Sequence, residues 1–224
     1  MFRNKLTSFL IPQFEHARLA GHLASMWGNA NFDTPNLPRE SFVTGVLFHD
    51  RGFGFLDRQE LGAVSEPERA SMFRRTVRSS FRDPVAEIVV LMHVRRLLDG
   101  NSNAEHQSVF AEAERAIENA QSDCGYDQSQ FSWADQITNL CDRIAFDYAF
   151  GTLTEGHVSV RREEESQEFS PIQYKIIDGG VIEVKPWPFG VDIVRGEIVG
   201  YIDEGYPDLL EPKVLSYTVR NAEG

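Results

Sequence analysis

Apolar residues recur at helical spacing over the first two thirds of the chain. His16, Ala20, Leu23 and Trp27 fall at i, i+4, i+7 and i+11, one stripe of a helix that begins near Pro12. Gly28 and the Asn- and Pro-rich stretch to Pro38 end it. From about Pro38 to Arg51, the rows Phe42–Val46–His49 and Val43–Leu47–Asp50 predict a second helix whose last turn points both His49 and Asp50 inward. Gly52 suits the left-handed residue just past such an end. Ser65-Glu66-Pro67-Glu68 has the form of a capping box ahead of a helix carrying Arg69, Arg74, Arg75, Arg78 and Arg82. Asp83-Pro84 opens the next helix, where Ala86 to Leu98 are nearly all apolar around His93, as in a helix buried on most sides. Ser102 and Glu105 form a further capping pattern before the stripe His106, Phe110, Ala113 and Ile117. Ser132 and Asp135 open a last long helix, with Trp133, Ile137, Leu140, Cys141, Ile144 and Tyr148 inside and Asp142 at the edge of the buried side.

The period changes after Gly151. Short runs at Val158–Val160, Tyr174–Ile177, Val181–Val184, Val191–Gly200 and Val214–Val219 read as strands. Asp178-Gly179-Gly180 and Arg195-Gly196-Glu197 read as hairpin turns. The expected architecture is mainly α: a helical domain over residues 1–154, and a small C-terminal antiparallel β appendage over residues 155–224 packed on it (α+β overall).

Composition narrows the function classes. With 224 residues, 42% hydrophobic and 25% charged, the chain has the make-up of a globular protein with room for one domain and a small addition. Its net charge of -12, from 22 basic and 34 acidic residues, argues against nucleic acid as a partner. Cys124 and Cys141 make neither a metal-type pair nor a disulfide framework, so a reducing cytoplasm is expected. Phe9-Leu10-Ile11 is too short for a signal-peptide core, and no apolar run is long enough to cross a membrane.

The candidate chemistry lies in four residues. His16, His49, Asp50 and Asp142 come from three predicted helices, each at or beside an apolar face, and imidazole and carboxylate together can surround one divalent cation. One histidine on an apolar face is more often a hydrogen-bonded core residue. An aspartate there needs a cation or strong hydrogen bonds, so the joint pattern outweighs any single residue. His93 is a candidate second-site ligand or general acid, with a core role equally open. Arg51, next to Asp50, is a candidate contact for an anionic substrate. Arg74 and Arg78 share a face, suited to a phosphate clamp or, more in keeping with such patterns, to pairing with neighbouring acids. His106, close to a helix start, is expected to be partly exposed, and His22 and His157 to lie on the surface.

Several segments resemble a known group. Pro12-Gln13-Phe14-Glu15-His16-Ala17 with Leu19-Ala20-Gly21, Trp27-Gly28, His49-Asp50-Arg51-Gly52-Phe53, Leu140-Cys141-Asp142-Arg143 and Trp187-Pro188-Phe189 are similar to the HD superfamily of metal-dependent phosphohydrolases. Within it they resemble the family called domain of unknown function 3891. The resemblance implies an HD-domain-like helical bundle holding a divalent metal ion (Mn, Fe, Mg, Ni or Zn) through His16, His49, Asp50 and Asp142. It also implies hydrolysis of a small, anionic, phosphorylated substrate by metal-activated water. Nucleotide-cleaving members often carry an acidic residue shortly after the doublet. Here Phe53, Gly54 and Phe55 fill that stretch, and Asp57, the first carboxylate, suits a loop-folding role. Two other readings stay open. A di-iron oxygenase would need both His93 and His106. A non-catalytic ligand-binding or protein-interaction module could use the appendage to form a homodimer.

Overall fold

The computed structural model describes residues 1–58, 64–151, 155–177 and 180–223. Among these, six α-helices and one short 3-10 helix pack with a curled, mixed sheet of seven strands. The fold is therefore mixed α/β, which corrects the expectation of a mainly helical, HD-domain-like bundle with a small β appendage. Two of the strands come from the start of the chain, β1 (Phe2–Arg3) and β2 (Phe9–Ile11). Segments of two and three residues are too short to display the period-2 alternation that marks a strand.

The helices are α1 (Gln13–Met26), α2 (Arg39–Leu47), α3 (Glu66–Arg78), α4 (Pro84–Leu98), α5 (Ala104–Ser122) and α6 (Gln128–Phe150). The remaining strands are β3 (Glu155–Arg161), β4 (Phe169–Ile177), β5 (Val181–Lys185), β6 (Ile193–Ile202) and β7 (Pro212–Asn221). They order as β1-β2-β6-β7-β5-β4-β3, antiparallel except for β5 beside β7. Phe9 faces Ile202 and Leu10 faces Tyr201, so the chain's beginning is stitched to a late strand. Along β4, Ile172, Tyr174 and Ile176 turn inward while Gln173 and Lys175 face out, the alternation of a half-buried sheet. Leu23 and Trp27 of α1, Ile137 and Ile144 of α6, and Val158, Ile182 and Val219 of the sheet share one continuous core. A smaller cluster under α3, α4 and α5 gathers Phe53, Leu56, Met72, Phe73, Val94 and Leu98.

Helix ends shift where caps compete. The Ser65–Glu68 box opens α3, and the Asp83 carboxylate accepts from Val85 and Ala86 to open α4. The cap of α5 is Asn103 rather than Ser102, its Oδ1 accepting from Glu105 N at 2.9 Å and His106 N at 3.3 Å. The last helix starts at Gln128, four residues before Ser132, with the Gln130 side chain reaching back to Asp127 N at 2.7 Å. Helix α2 stops at Leu47, so His49 and Asp50 occupy the turn beyond it.

Two glycines have roles other than those predicted. Gly52 is not left-handed; a Cβ there would come within 2.2 Å of Thr76 Oγ1 and 2.5 Å of Met72 O, so glycine lets this turn press against α3. Gly196 is no turn but lies inside β6 opposite Tyr217, where a Cβ would meet the Tyr217 hydroxyl at 2.3 Å. The predicted turn at Asp178-Gly179 lies outside the described residues, as does 152–154, where the helical part was expected to end. Among the described residues no helix is long and apolar enough to cross a membrane.

Candidate metal centre

Pro12 leads from β2 into α1 and places His16 on the buried face, one turn in. His49 and Asp50 enter from the turn after α2, Asp142 from the middle of α6, and His93 from the middle of α4. All five meet. Asp142 Oδ1 lies 3.0 Å from His16 Nε2 and 3.2 Å from His49 Nε2. Asp50 Oδ2 lies 3.6 Å from His16 Nδ1 and 3.7 Å from His49 Nε2, and its Oδ1 lies 3.3 Å from His93 Nε2. The histidines are 0–1% exposed.

The hydrogen bonds around the cluster fix where protons sit. His49 Nδ1 donates to Val46 O at 2.7 Å, which leaves Nε2 facing the two carboxylates as the position that takes a proton or a cation. His93 is arranged the opposite way. Arg96 Nη2 lies 2.9 Å from His93 Nδ1, and a guanidinium can only donate, so Nδ1 accepts and Nε2 carries the proton, aimed at Asp50. Arg96 is held in turn by Asp135 at 3.0 Å and Asn139 at 2.8 Å, which share the face of α6 that carries Asp142.

The electrostatics demand positive charge at this point. Burial disfavours the charged His49 ring, but the carboxylates of Asp50 and Asp142 outweigh it and push its pKa up to about 9. Burial works against the Asp142 carboxylate too, yet His49 and His16 hold its pKa well below the ordinary range. The pKa of Asp50 is likewise lowered, by His49 and His93 against burial. His93 is shifted down by burial and by the neighbouring His49 charge, consistent with a neutral ring.

A divalent cation fits this donor set. Among the described residues His16 Nδ1 and His49 Nε2 are buried without a hydrogen-bond partner, as is the protonated His93 Nε2 beside them. Ligands about 2.1 Å from one ion, at right to tetrahedral angles, lie about 3.0–3.4 Å apart, matching the 3.0 and 3.2 Å contacts of Asp142 with its two histidines. His16, His49 and Asp142 form one group within ligating reach, and His49, Asp50 and His93 form another.

A cleft of about 560 Å³ opens onto Asp50, His93 and Asp142. Gln13, Glu66, Arg69, Arg96 and Arg143 are among its polar lining, and Phe53, Met72, Phe73 and Leu98 among its apolar lining. The chain's family can now be read beside this geometry. The matching family model is described as Protein of unknown function (DUF3891) and covers residues 1–201. The chain belongs to the DUF3891 family. No curated protein and no solved structure matches it.

In this DUF3891 protein two distant sequence segments meet outside the cluster. Gly28 N donates to Pro188 O at 2.9 Å, Gly190 N to Met26 O at 2.8 Å, and the Trp27 and Phe189 rings touch edge to face. The end of α1 is thereby anchored to the loop between β5 and β6.

Several expected site residues lie elsewhere. Arg51 does not reach the cleft: its guanidinium bonds Thr76 O at 2.8 Å and Glu87 at 2.9 Å, beneath the Phe81 ring. Because the doublet lies in a turn and not a helix, Asp50 and Arg51 project to opposite sides. Arg74 and Arg78 both pair with Glu112 of α5. Asp57 accepts from Gln13 N at 2.9 Å and steadies the start of α1. His22 is half-buried against the Tyr217 hydroxyl, and His157 is exposed. His106, expected to be partly exposed, is 1% exposed and lines the cleft. Arg96 was missed, although it stands three residues after His93, on the same helical face. A second concavity, between Glu155, Lys175 and Glu183 on the sheet, contains no unpartnered buried side-chain atom among the described residues.

Proposed function

We propose that this DUF3891 protein is a metal-dependent hydrolase of the HD-superfamily kind, acting on a small phosphorylated molecule. His16, His49, Asp50 and Asp142 would hold the divalent cation. The observation that carries this reading is the His49 ring: Nδ1 is committed to Val46 O, and Nε2, the nitrogen left to take a proton or a cation, faces Asp142 at 3.2 Å. When bound, the cation supplies an acidified water and polarises a phosphoryl oxygen. The protein's own groups do the rest. His93 keeps a proton on Nε2 because Arg96 occupies Nδ1, so it orients Asp50 and can donate to a substrate oxygen. Arg143 lines the cleft and offers cationic charge to an anion, in a chain whose net charge is -12, whereas Arg69, also on the lining, is paired with Glu66 at 3.6 Å.

The same tautomer weighs against the di-iron oxygenase. A second iron would require a lone pair at His93 Nε2, where Arg96 enforces a proton, and the help of His106, which belongs to neither ligating group. Metal analysis of the native protein beside His49→Ala and Asp142→Ala tests the proposal. One metal per chain, lost in both variants, with metal-dependent cleavage of a phosphomonoester panel, is the expected result. Two irons per chain with oxygen uptake would replace it by the oxygenase. Absence of metal, or metal indifferent to both changes, would replace it by the binding module.

A further inference from the structure

The apolar lining of the cleft adjoins a histidine that the metal centre does not use. His106, in the first turn of α5, is 1% exposed, and neither ring nitrogen has a hydrogen-bond partner among the described residues. Its ring meets Phe73 edge to face with centroids 6.0 Å apart. The nearest charged group is the Glu66 carboxylate, 3.6 Å from Nε2 and itself more than half exposed. A buried imidazole with both nitrogens unpaired forfeits the hydration of both without replacement. Gln13, also on the lining of this cleft, has its amide nitrogen buried and unpartnered among the described residues.

We infer that His106 is a specificity-determining residue, reading a neutral hydrogen-bonding group, a hydroxyl or carboxamide, on the apolar or aromatic body of the substrate. A neutral imidazole offers one donor and one acceptor, and both groups supply the complement. The nearby Glu66 carboxylate disfavours an anionic group at this end. Phe53, Met72, Phe73 and Leu98 give the body its apolar walls. His106 and the metal cluster thus grip opposite ends of one molecule, polar at both tips and apolar between. This deepens the hydrolase reading and rests on it for the anionic end alone.

The test uses protein labelled with ¹⁵N in its imidazoles, titrated with benzamide, benzyl alcohol and toluene. None carries phosphate, so the outcome does not depend on hydrolysis. Benzamide and benzyl alcohol are expected to shift the His106 ring resonances saturably and to bind at least about fivefold more tightly than toluene. In His106→Phe that preference is expected to vanish while the thermal midpoint and metal content stay near those of the native protein. Equal binding of all three fragments, shifts confined to other histidines, or a preference surviving in His106→Phe would overturn the inference. A second metal lost in His106→Phe would overturn it as well, making His106 a ligand. Should that variant not fold, the native titration decides alone. Fragment binding at His106 in a protein inert toward phosphomonoesters would keep this subsite and remove the hydrolase.

Discussion

Asp50 and Arg51 are adjacent in the chain and belong to two different kinds of buried polar cluster. On the Arg51 side, Glu87 accepts from Arg51 at 2.9 Å and from Phe81 N at 2.8 Å, Arg51 also bonds Thr76 O, and Phe81 covers the guanidinium. The charges there are matched to each other, with Arg51 Nη1 alone left without a hydrogen-bond partner among the described residues, and the pair braces the turn against α3 and α4. On the Asp50 side, two carboxylates face three histidines, and three ring nitrogens lack partners. A polar cluster whose charges pair with each other acts as a strut. One whose demands stay open from within is shaped for something from outside.

The largest expected effect breaks the strut. Glu87→Ala leaves Arg51 buried and unpaired and is expected to cost about 3–5 kcal/mol in urea unfolding. The double change Arg51→Met with Glu87→Leu should recover most of that loss. Equal damage from single and double variants would show that packing, not the lost pair, sets the cost. On the Asp50 side the larger effect comes from adding metal. A cation held at 100 times its Kd stabilises the fold by about 2.7 kcal/mol, and this gain is expected to vanish in Asp142→Ala. A gain surviving there would move the cation elsewhere.

Acidity separates the two clusters next. His49 is raised from its ordinary 6.5 to about 9 in the metal-free protein, so its contribution is fully present below pH 6.5 and is lost as pH rises through 9. Thermal midpoints of metal-free protein should therefore fall between these values. Metal-loaded protein should show little of that fall, since the cation replaces the proton and releases it to solvent. A calorimetric series in buffers of differing ionisation heat would count the proton. The smallest effect belongs to Arg96→Gln, which permits the other His93 tautomer. Turnover is expected to drop about tenfold with metal content unchanged, and ¹⁵N spectra should show the proton on His93 Nδ1. Unchanged spectra would mean that Arg96 does not set the tautomer.

The sequence made the convergence of His16, His49, Asp50 and Asp142 readable because three of the four fall on apolar rows, and charge on such rows demands a partner. It made α1, α3 and α4 readable for the same reason, through period and caps. The sheet was underestimated because β1 and β2 are too short to alternate, and because Gly196 resembled a turn when its missing Cβ serves the Tyr217 ring. Arg51 was proposed for its adjacency to Asp50, but neighbours in a chain need not face one site, and its guanidinium turns to Thr76 O and Glu87. His106 stood on the stripe with Phe110 and Ala113, a true signal of burial set aside for its closeness to a helix start.

The pairing of β2 with β6 carries a consequence for how the protein is made. His16 follows β2 by a few residues, and β2 is held by Tyr201 and Ile202, with Glu15 accepting from Val199 N at 2.9 Å. An emerging chain that ends before β6 contains every proposed ligand yet lacks the strand that fixes the first of them. Ribosome-arrested chains stopping near residue 190 are expected to take up no metal, and chains extended past Asn221 to take it up. Loading would then wait for β6 to pair with β2, long after the last proposed ligand has been made.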